Sequence, residues 1–383
     1  MDFALSEDER LIQETAREFA QKKLFPRALE FDAEEKLDLN VIREMGELGF
    51  LGITIPERYG GAGMDYIAYA LVVEQLAQGC SSHTAVVELH NSLYAGPILS
   101  HGTEEQKQKY LPAVAIGQKL GAFALTEPNA GSDAAGLETT AKADGDFYIL
   151  NGTKIYATDA NLAHFVLTFA TVDKSRGYKG ITCFMVEKGT PGLTVGTIEK
   201  KMGFKASPTT ELHYQDVRVP KENIIGQVGK GFSIALEALD GGRISIGCQA
   251  MGIAQAAFNL AVKYSKERKQ FGKFLSEFQG IQFMLADMAT DISAARNLVY
   301  HAAYLKSRGK PFILAASQAK LYASEMATRV THKAIQILGG YGYIRDYHVE
   351  RYYRDARVTE LFEGTSEIQR LVIARELLKN FRN

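Results

Sequence analysis

The spacing of apolar residues changes period twice along this chain, and that constrains the fold more than any single motif. Up to about residue 117 the period is helical. Ser6 followed by Glu9 is a capping-box pattern, and Leu11, Ile12, Ala16, Phe19, Ala20 and Leu24 then recur on one helical face until Pro26 interrupts the pattern or begins a new segment. VIREMGELGFLGITIP predicts a helix ending at a glycine-rich turn, RYGGAGMDYIAYALVVEQLAQ a loop and an apolar helix, and GTEEQKQKYLPAVAIG a short helix with acids near its positive end. From about 118 to 224 the period drops to two. FYILNGTKIYAT reads as two β-runs joined at Asn151-Gly152, a dipeptide suited to a type I′ hairpin turn. HFVLTFATV, GITCFMVEK and ELHYQDVRVP, which stops at Pro220, read as further strands. From about 225 the helical period returns in long runs. The first, starting at GFSIALEALDGGRIS, reads as one or two helices; the next ends at Gly309, a third is stopped by Gly339-Gly340, and the last begins near Thr365 and runs to the C-terminus.

A chain of 383 residues exceeds the usual size of one core. The expectation is therefore an α+β multi-domain protein: a helical domain over 1–117, a middle antiparallel β-barrel or sandwich over 118–224, and a helical bundle over 225–383. Composition narrows the function. Forty-four Lys and Arg against 45 Asp and Glu give a net charge of −1, so no basic surplus exists to release counterions from a nucleic acid. Cys80, Cys183 and Cys248 are far apart and form no CxxC; they are expected to be small buried residues in a reducing compartment. Neither they nor the eight histidines show ligand spacing, so no metal is expected. MDFALSEDER lacks the apolar stretch of a signal peptide, and no run of roughly 18 apolar residues predicts a membrane span. A cytoplasmic, bacterial protein without membrane insertion is expected.

Four local motifs carry chemistry, each with an ordinary alternative. TEPNAGSD (126–133) offers hydroxyls and backbone N–H groups to an anionic or polar ligand, or is a plain turn. GGYGY (339–343) follows a helix rather than a strand, so it is no dinucleotide fingerprint. Its glycines either let backbone approach a ligand or cap the helix. DGGRIS (240–245) puts two glycines inside a helical stretch, where each costs about 1 kcal/mol relative to Ala, so close packing or a ligand must compensate. Arg243 beside them is either a phosphate-binding fork or a solvated surface arginine. Glu363 in LFEGTSEIQR precedes Thr365, a good N-cap, and is locally an ordinary helix-entry charge.

FALTEPNAGSD, QILGGYGYIRDYHVERYYRDAR and LFEGTSEIQR, in that order and spacing, resemble the acyl-CoA dehydrogenase family over essentially the whole chain, nearest its short-chain, butyryl-CoA-type members. The resemblance implies the helical–β–helical fold with a C-terminal four-helix bundle, and a non-covalently held FAD. It implies oxidation of a saturated acyl-CoA to the trans-2-enoyl-CoA, electron transfer to an electron-transferring flavoprotein, and a homotetramer built as a dimer of dimers. The α-proton of a thioester is weakly acidic, so a carboxylate must reach it while hydride leaves the β-carbon. Glu363 matches the family's base. Some members carry the base before the arginine of the LDGGRIS helix, where this chain has Gly242; Glu360 is expected to be structural.

By position the resemblance assigns Phe123, Leu125, Thr126, Ser132, Tyr156 and Thr158 to the flavin ring, with Tyr156 standing where many relatives have Trp. It assigns Arg268, Phe271, Gln279, Gln336, Leu338, Gly339 and Gly340, from a partner subunit, with Thr365 and Glu367, to the rest of FAD. Ser132, Tyr178, Lys179, Asp240, Arg243 and Gly364 match substrate contacts. VVELHNSLYAGPI (86–98) lies on the helix lining the acyl end, where His90 or Asn91 either faces the pocket or is structural. It holds no arginine of the kind seen in relatives acting on glutaryl-CoA, so a short, branched or cyclic neutral acyl chain is expected. An oxidase, a desulfinase-like lyase and a non-catalytic nucleic-acid-associated member are the rival readings; the last two are disfavoured by Glu363.

Overall fold

The computed structural model describes residues 5–380. Residues 1–4 and 381–383, included in the outer domains expected from the sequence, lie outside the described residues. The capping box forms: Ser6 Oγ accepts from the Glu9 N–H at 3.2 Å and the Glu9 carboxylate from the Ser6 N–H at 2.7 Å, starting the helix Glu7–Phe19. Its last turn widens into a π-turn, Ala20–Leu24, and Pro26 then sits in the first turn of a 3-10 segment, Phe25–Arg27. Pro26 begins a segment, where its missing N–H costs nothing.

The helix Tyr66–Gly79 is capped by Asp65, which accepts from the N–H groups of Ile67 and Ala68. It runs through the interior, nearly every residue buried, against a single 37-residue helix, Gly231–Glu267. A Cβ at Gly252 would lie 2.4 Å from the Glu74 carbonyl oxygen, so the two backbones touch where a side chain is absent. The helices Gln279–Ser307, Ile313–Leu338 and Ser366–Asn380 complete the C-terminal part. Arg354, on the helix His348–Val358, joins all three parts of the chain through Asp32 (2.8 Å), Glu350 (2.6 Å) and the Met202 carbonyl (3.0 Å).

The middle part is one sheet of eight strands: β1 Gly121–Ala124, β2 Thr140–Asp144, β3 Phe147–Thr158, β4 Phe165–Thr171, β5 Ile181–Glu187, β6 Leu193–Ile198, β7 Thr209–Pro220 and β8 Ile224–Ile225. Its order is β6-β7-β3-β2-β4-β5-β8, with β1 against β4. The β middle part between two helical parts is as expected from the sequence; within it the antiparallel closed barrel is corrected, since the sheet is mixed and does not close. Both β1 and β2 run parallel to β4, so the loop carrying TEPNAGSD moves the chain on without reversing it. The hairpin expected at Asn151-Gly152 is also corrected. β3 continues through both residues, and the β2–β3 turn lies at Gly145 (φ 56°). Asn151-Gly152 forms a bulge, shifting register between Leu150 and Gly152, with the Asn151 side chain pairing to the N–H and carboxylate of Asp216. A Cβ at Gly152 would lie 2.4 Å from Thr139 Oγ1, so close approach rather than turn geometry explains the glycine.

One buried ion pair fixes the TEPNAGSD loop to this sheet. Lys154 Nζ donates to Glu127 Oε1 at 2.7 Å and to the Leu125 carbonyl at 3.0 Å, and Glu127 also accepts from the Thr139 N–H. Removing one partner strands the other charge out of water. Glu127→Ala is expected to cost about 3–5 kcal/mol, measured as a lower urea midpoint with an unchanged m-value; a change under about 1 kcal/mol would show that the pair is not what holds the loop.

Candidate active site

Between the helices His348–Val358 and Ser366–Asn380 the chain must turn sharply inward. It does so with two successive left-handed residues, Glu363 (φ 51°) and Gly364 (φ 92°). The conformation is strained for a glutamate, at about 1–3 kcal/mol, and persists only where surroundings impose it. Lys320 Nζ donates to the Gly364 carbonyl at 2.8 Å, and Gln369 Nε2 donates to the same oxygen at 3.0 Å and to the Glu363 carbonyl at 3.3 Å. Thr365 Oγ1 accepts from the Ile368 N–H, as an N-cap does.

The turn sends the Glu363 carboxylate inward. Its Oε2 is buried and has no hydrogen-bond partner. It rests on the 37-residue helix at Gly242, where a Cβ would lie 1.8 Å from Oε2. Gly242 within DGGRIS is thus a seat for a carboxylate, so close packing, by the Glu363 side chain, is what compensates for this glycine. Burial pushes Glu363 up to about 7, against the opposing pull of Lys320 and Arg243. Arg243 is no solvated surface arginine. It is buried, its Nη1 donates to Asp240 Oδ1 and weakly to Ser317 Oγ (3.4 Å), and its Nε has no partner. Glu360 is engaged elsewhere, by Thr328 Oγ1 and Arg357.

The segment 86–98, expected from the resemblance to line an acyl end, also sorts itself. Asn91 is spent on structure: its Oδ1 accepts from the Thr54 N–H (3.0 Å) and its Nδ2 donates to the Phe50 and Val87 carbonyls. His90 Nε2 accepts from the Gly121 N–H at 3.1 Å, and burial pulls the ring down to about 3, so it is neutral. Two buried ionisable residues were missed in the sequence. Glu88 is buried with Oε1 unpartnered, pushed well above the carboxylate range by burial and by the charge of Glu363. A π-turn, Leu89–Tyr94, follows it, and Leu89 and Leu93 pack with Ala238, Leu239 and Phe123. Lys320 is fully buried; its signal was a lone lysine on an otherwise small, apolar stripe with Ala316, Ala319, Ala323 and Ala327.

The remaining predicted residues fall into three groups. The Ile155 N–H donates to the Thr126 carbonyl, which, with the Lys154–Glu127 pair, brings Phe123, Leu125 and Thr126 beside Tyr156 and Thr158. Tyr156 is 60% exposed and left-handed (φ 55°) at a second bulge of β3, an aromatic ring held outward on a strained backbone. Ser132 is exposed on the same loop. Tyr178 and Lys179 are exposed next to the start of the long helix, Tyr178 lying 5.7 Å from the Phe232 ring, while Asp240 and Arg243 lie further along that helix. The third group is a groove bringing Arg268 together with Leu338, Gly339 and Gly340. Beside it a small hairpin, β9 Lys269–Gln270 and β10 Lys273–Phe274, carries Phe271, 94% exposed with φ 53°. Gln279 and Gln336 are exposed, as is Glu367. Among the described residues no hydrogen bond joins this groove to the Glu363 turn. The outward Tyr156 ring and the open, unshielded Gly339 and Gly340 backbone, with no atom within 4 Å of a Cβ at either, fit a flat, phosphate-bearing cofactor. Among the described residues no cluster of His, Cys, Asp and Glu could hold a metal, and no helix is long and apolar enough to cross a membrane.

Family models described as the N-terminal, middle and C-terminal domains of acyl-CoA dehydrogenase match residues 6–118, 122–217 and 229–378. The chain is 49% identical over 379 residues to the short-chain specific acyl-CoA dehydrogenase of Clostridium acetobutylicum, covering 99% of this chain and 100% of that one. It is similar to the solved butyryl-CoA dehydrogenase of Megasphaera elsdenii, at 49% identity and a TM-score of 0.97 over 99% of this chain and 100% of that one. It is also similar to a chain solved under the description of the electron transferring flavoprotein of Acidaminococcus fermentans, at 52% identity and a TM-score of 0.98, with full coverage of both.

The contact at Gly242 makes a direct prediction. Gly242→Ala favours the helix, so stability is expected to change by no more than about 1 kcal/mol, while the Glu363 carboxylate must leave its seat. A crystal structure of the variant should show a straight helix and a changed Glu363 rotamer; a bowed helix with the carboxylate unmoved would contradict this reading.

Proposed function

The chain belongs to the acyl-CoA dehydrogenase family, and on that premise we propose that it oxidises a short-chain acyl-CoA to the trans-2-enoyl-CoA, with Glu363 as the proton acceptor, FAD as cofactor and an electron-transferring flavoprotein as the next carrier. The observation that carries this is the Glu363 carboxylate: its Oε2 enclosed and unpartnered, seated on Gly242, and its pKa pushed up to about 7. Bound FAD would supply the acceptor for the hydride lost from the β-carbon. A base with a pKa near the working pH has both a usable ionised fraction and enough basicity to take the α-proton. Lys320 and Arg243 keep the ionised form within reach, and substrate that expels water strengthens the base further. The Glu363 N–H offers a donor to the thioester oxygen as charge develops there.

Leu89, Leu93, Phe123, Ala238 and Leu239 supply apolar walls, which favours a short neutral acyl chain, linear, branched or cyclic. Ser132, Tyr178 and Lys179 are exposed as CoA contacts require. Asp240 holds the Arg243 Nη1, which leaves Nη2 and Nε as the guanidinium nitrogens without a protein partner for such a contact. Thr126, Tyr156 and Thr158 would face the flavin ring, with Thr365 and Glu367 toward the rest of the FAD. Arg268, Phe271, Gln279, Gln336, Leu338, Gly339 and Gly340 would hold the far end of an FAD bound to a second copy in a homotetramer. The exposed Phe271 ring favours such a neighbour. Three free, buried cysteines suit a reducing, cytoplasmic setting.

The purified protein should be yellow, and anaerobic butyryl-CoA should bleach its flavin. Scoring branched and cyclic acyl-CoAs alongside it defines the acyl group. Glu363→Gln should retain FAD yet reduce it about 10²–10⁴-fold more slowly; near-normal bleaching by that variant would remove Glu363 as the base. Only the ionised carboxylate accepts a proton, so the reduction rate of the wild-type protein should climb as pH rises through about 7. A flat profile from pH 5.5 to 8.5, about 1.5 units either side, would contradict this.

A further inference from the structure

We propose that Lys320 is the positioning residue of the reactive turn: its ammonium, donating to the Gly364 carbonyl, both fixes where Glu363 sits and supplies the counter-charge to its carboxylate. Lys320 is fully buried on the helix Ile313–Leu338, and among the described residues no carboxylate lies within ion-pair distance of it. A lysine ammonium has three donors and keeps its charge out of water only when something offsets the lost hydration. One donor goes to the Gly364 oxygen at 2.8 Å. The charged groups facing Lys320 are Glu363, Arg243, Glu360 and Glu325. Glu360 is matched by Arg357 and Thr328, and Glu325 by Arg370 at 2.7 Å. Arg243 is matched by Asp240. Glu363, with a buried and unpartnered Oε2, is the anion left for Lys320 to balance. The other acid facing Glu363 is Glu88, pushed well above the usual carboxylate range by its burial and by the charge of Glu363. Burial draws Lys320 down to about 8, so the cation is still present at neutral pH.

The inference rests on the reading of Glu363 as the base, but its test does not use turnover. In the FAD-loaded protein, the carboxyl band of Glu363 is identified in infrared difference spectra by its disappearance in Glu363→Gln, and its midpoint is followed with pH. Hydrogen exchange of the amides over 361–368 is followed in parallel. Lys320→Gln keeps a donor for the Gly364 carbonyl but removes the charge; it should raise the Glu363 midpoint by about one unit or more, a tenfold change in ionisation, with little change in exchange. Lys320→Met should raise the midpoint similarly and also speed exchange across the turn. Lys320→Arg, which retains charge and donors, should stay within about half a unit of the wild type. An unmoved midpoint in Lys320→Gln, or an equal rise in Lys320→Arg, would overturn the proposal and leave Lys320 a mere staple. If the wild-type band titrates as described but no acyl-CoA bleaches the flavin, the dehydrogenase reading fails and the role of Lys320 stands.

Discussion

A carboxylate lying on a bare stretch of helix backbone is the contact on which the site depends. Helix surfaces are normally covered by their own side chains, and Glu363 reaches the backbone of the helix Gly231–Glu267 only because residue 242 has none. The seat takes Oε2 out of water, which raises the basicity of the carboxylate, and leaves that oxygen no fixed hydrogen bond to break before it accepts a proton. Everything around it works to keep a charged group in an unfavourable place. Gln369 and Lys320 pin the turn from below, and the Lys320 and Arg243 cations stop the carboxyl from becoming permanently neutral.

The sheet carries the opposite face of the site on the same principle. The Lys154–Glu127 pair is expensive to bury, yet it ties the TEPNAGSD loop to the strand bearing Tyr156. Two bulges in that strand shift its register, and the second turns the Tyr156 ring outward on a left-handed backbone. Rigid elements thus present strained residues, an arrangement in which precision comes from the scaffold and reactivity from the exceptions to it.

How legible all this was in the sequence depended on distance along the chain. The capping box at Ser6, the Thr365 cap and the order of helical and β parts were readable because periodicity and caps are local signals. Glu363 stood out only through the register of several long motifs, since its own neighbourhood looked like an ordinary helix entry. What escaped was long-range. Nothing local distinguishes Asn151-Gly152 as a bulge from a hairpin, because the deciding contact is with Thr139 across the sheet. The parallel run of β1 and β2 beside β4 likewise depends on where a loop delivers the chain. Glu88 and Lys320 were invisible as partners of Glu363 because a one-dimensional pattern shows which residues are apolar, not which charges are buried together.

The reactive turn also has a place in time. Its left-handed pair of residues is held by groups remote in sequence, with Lys320 44 positions before Gly364 and Gly242 far earlier still. Such contacts form only after the chain between them has been closed into a loop and the helices have docked. Until then Glu363 is a solvated glutamate with an ordinary acidity. The proposed base therefore acquires its raised pKa only once these helices have docked, and a partly folded chain exposes an ordinary glutamate to water.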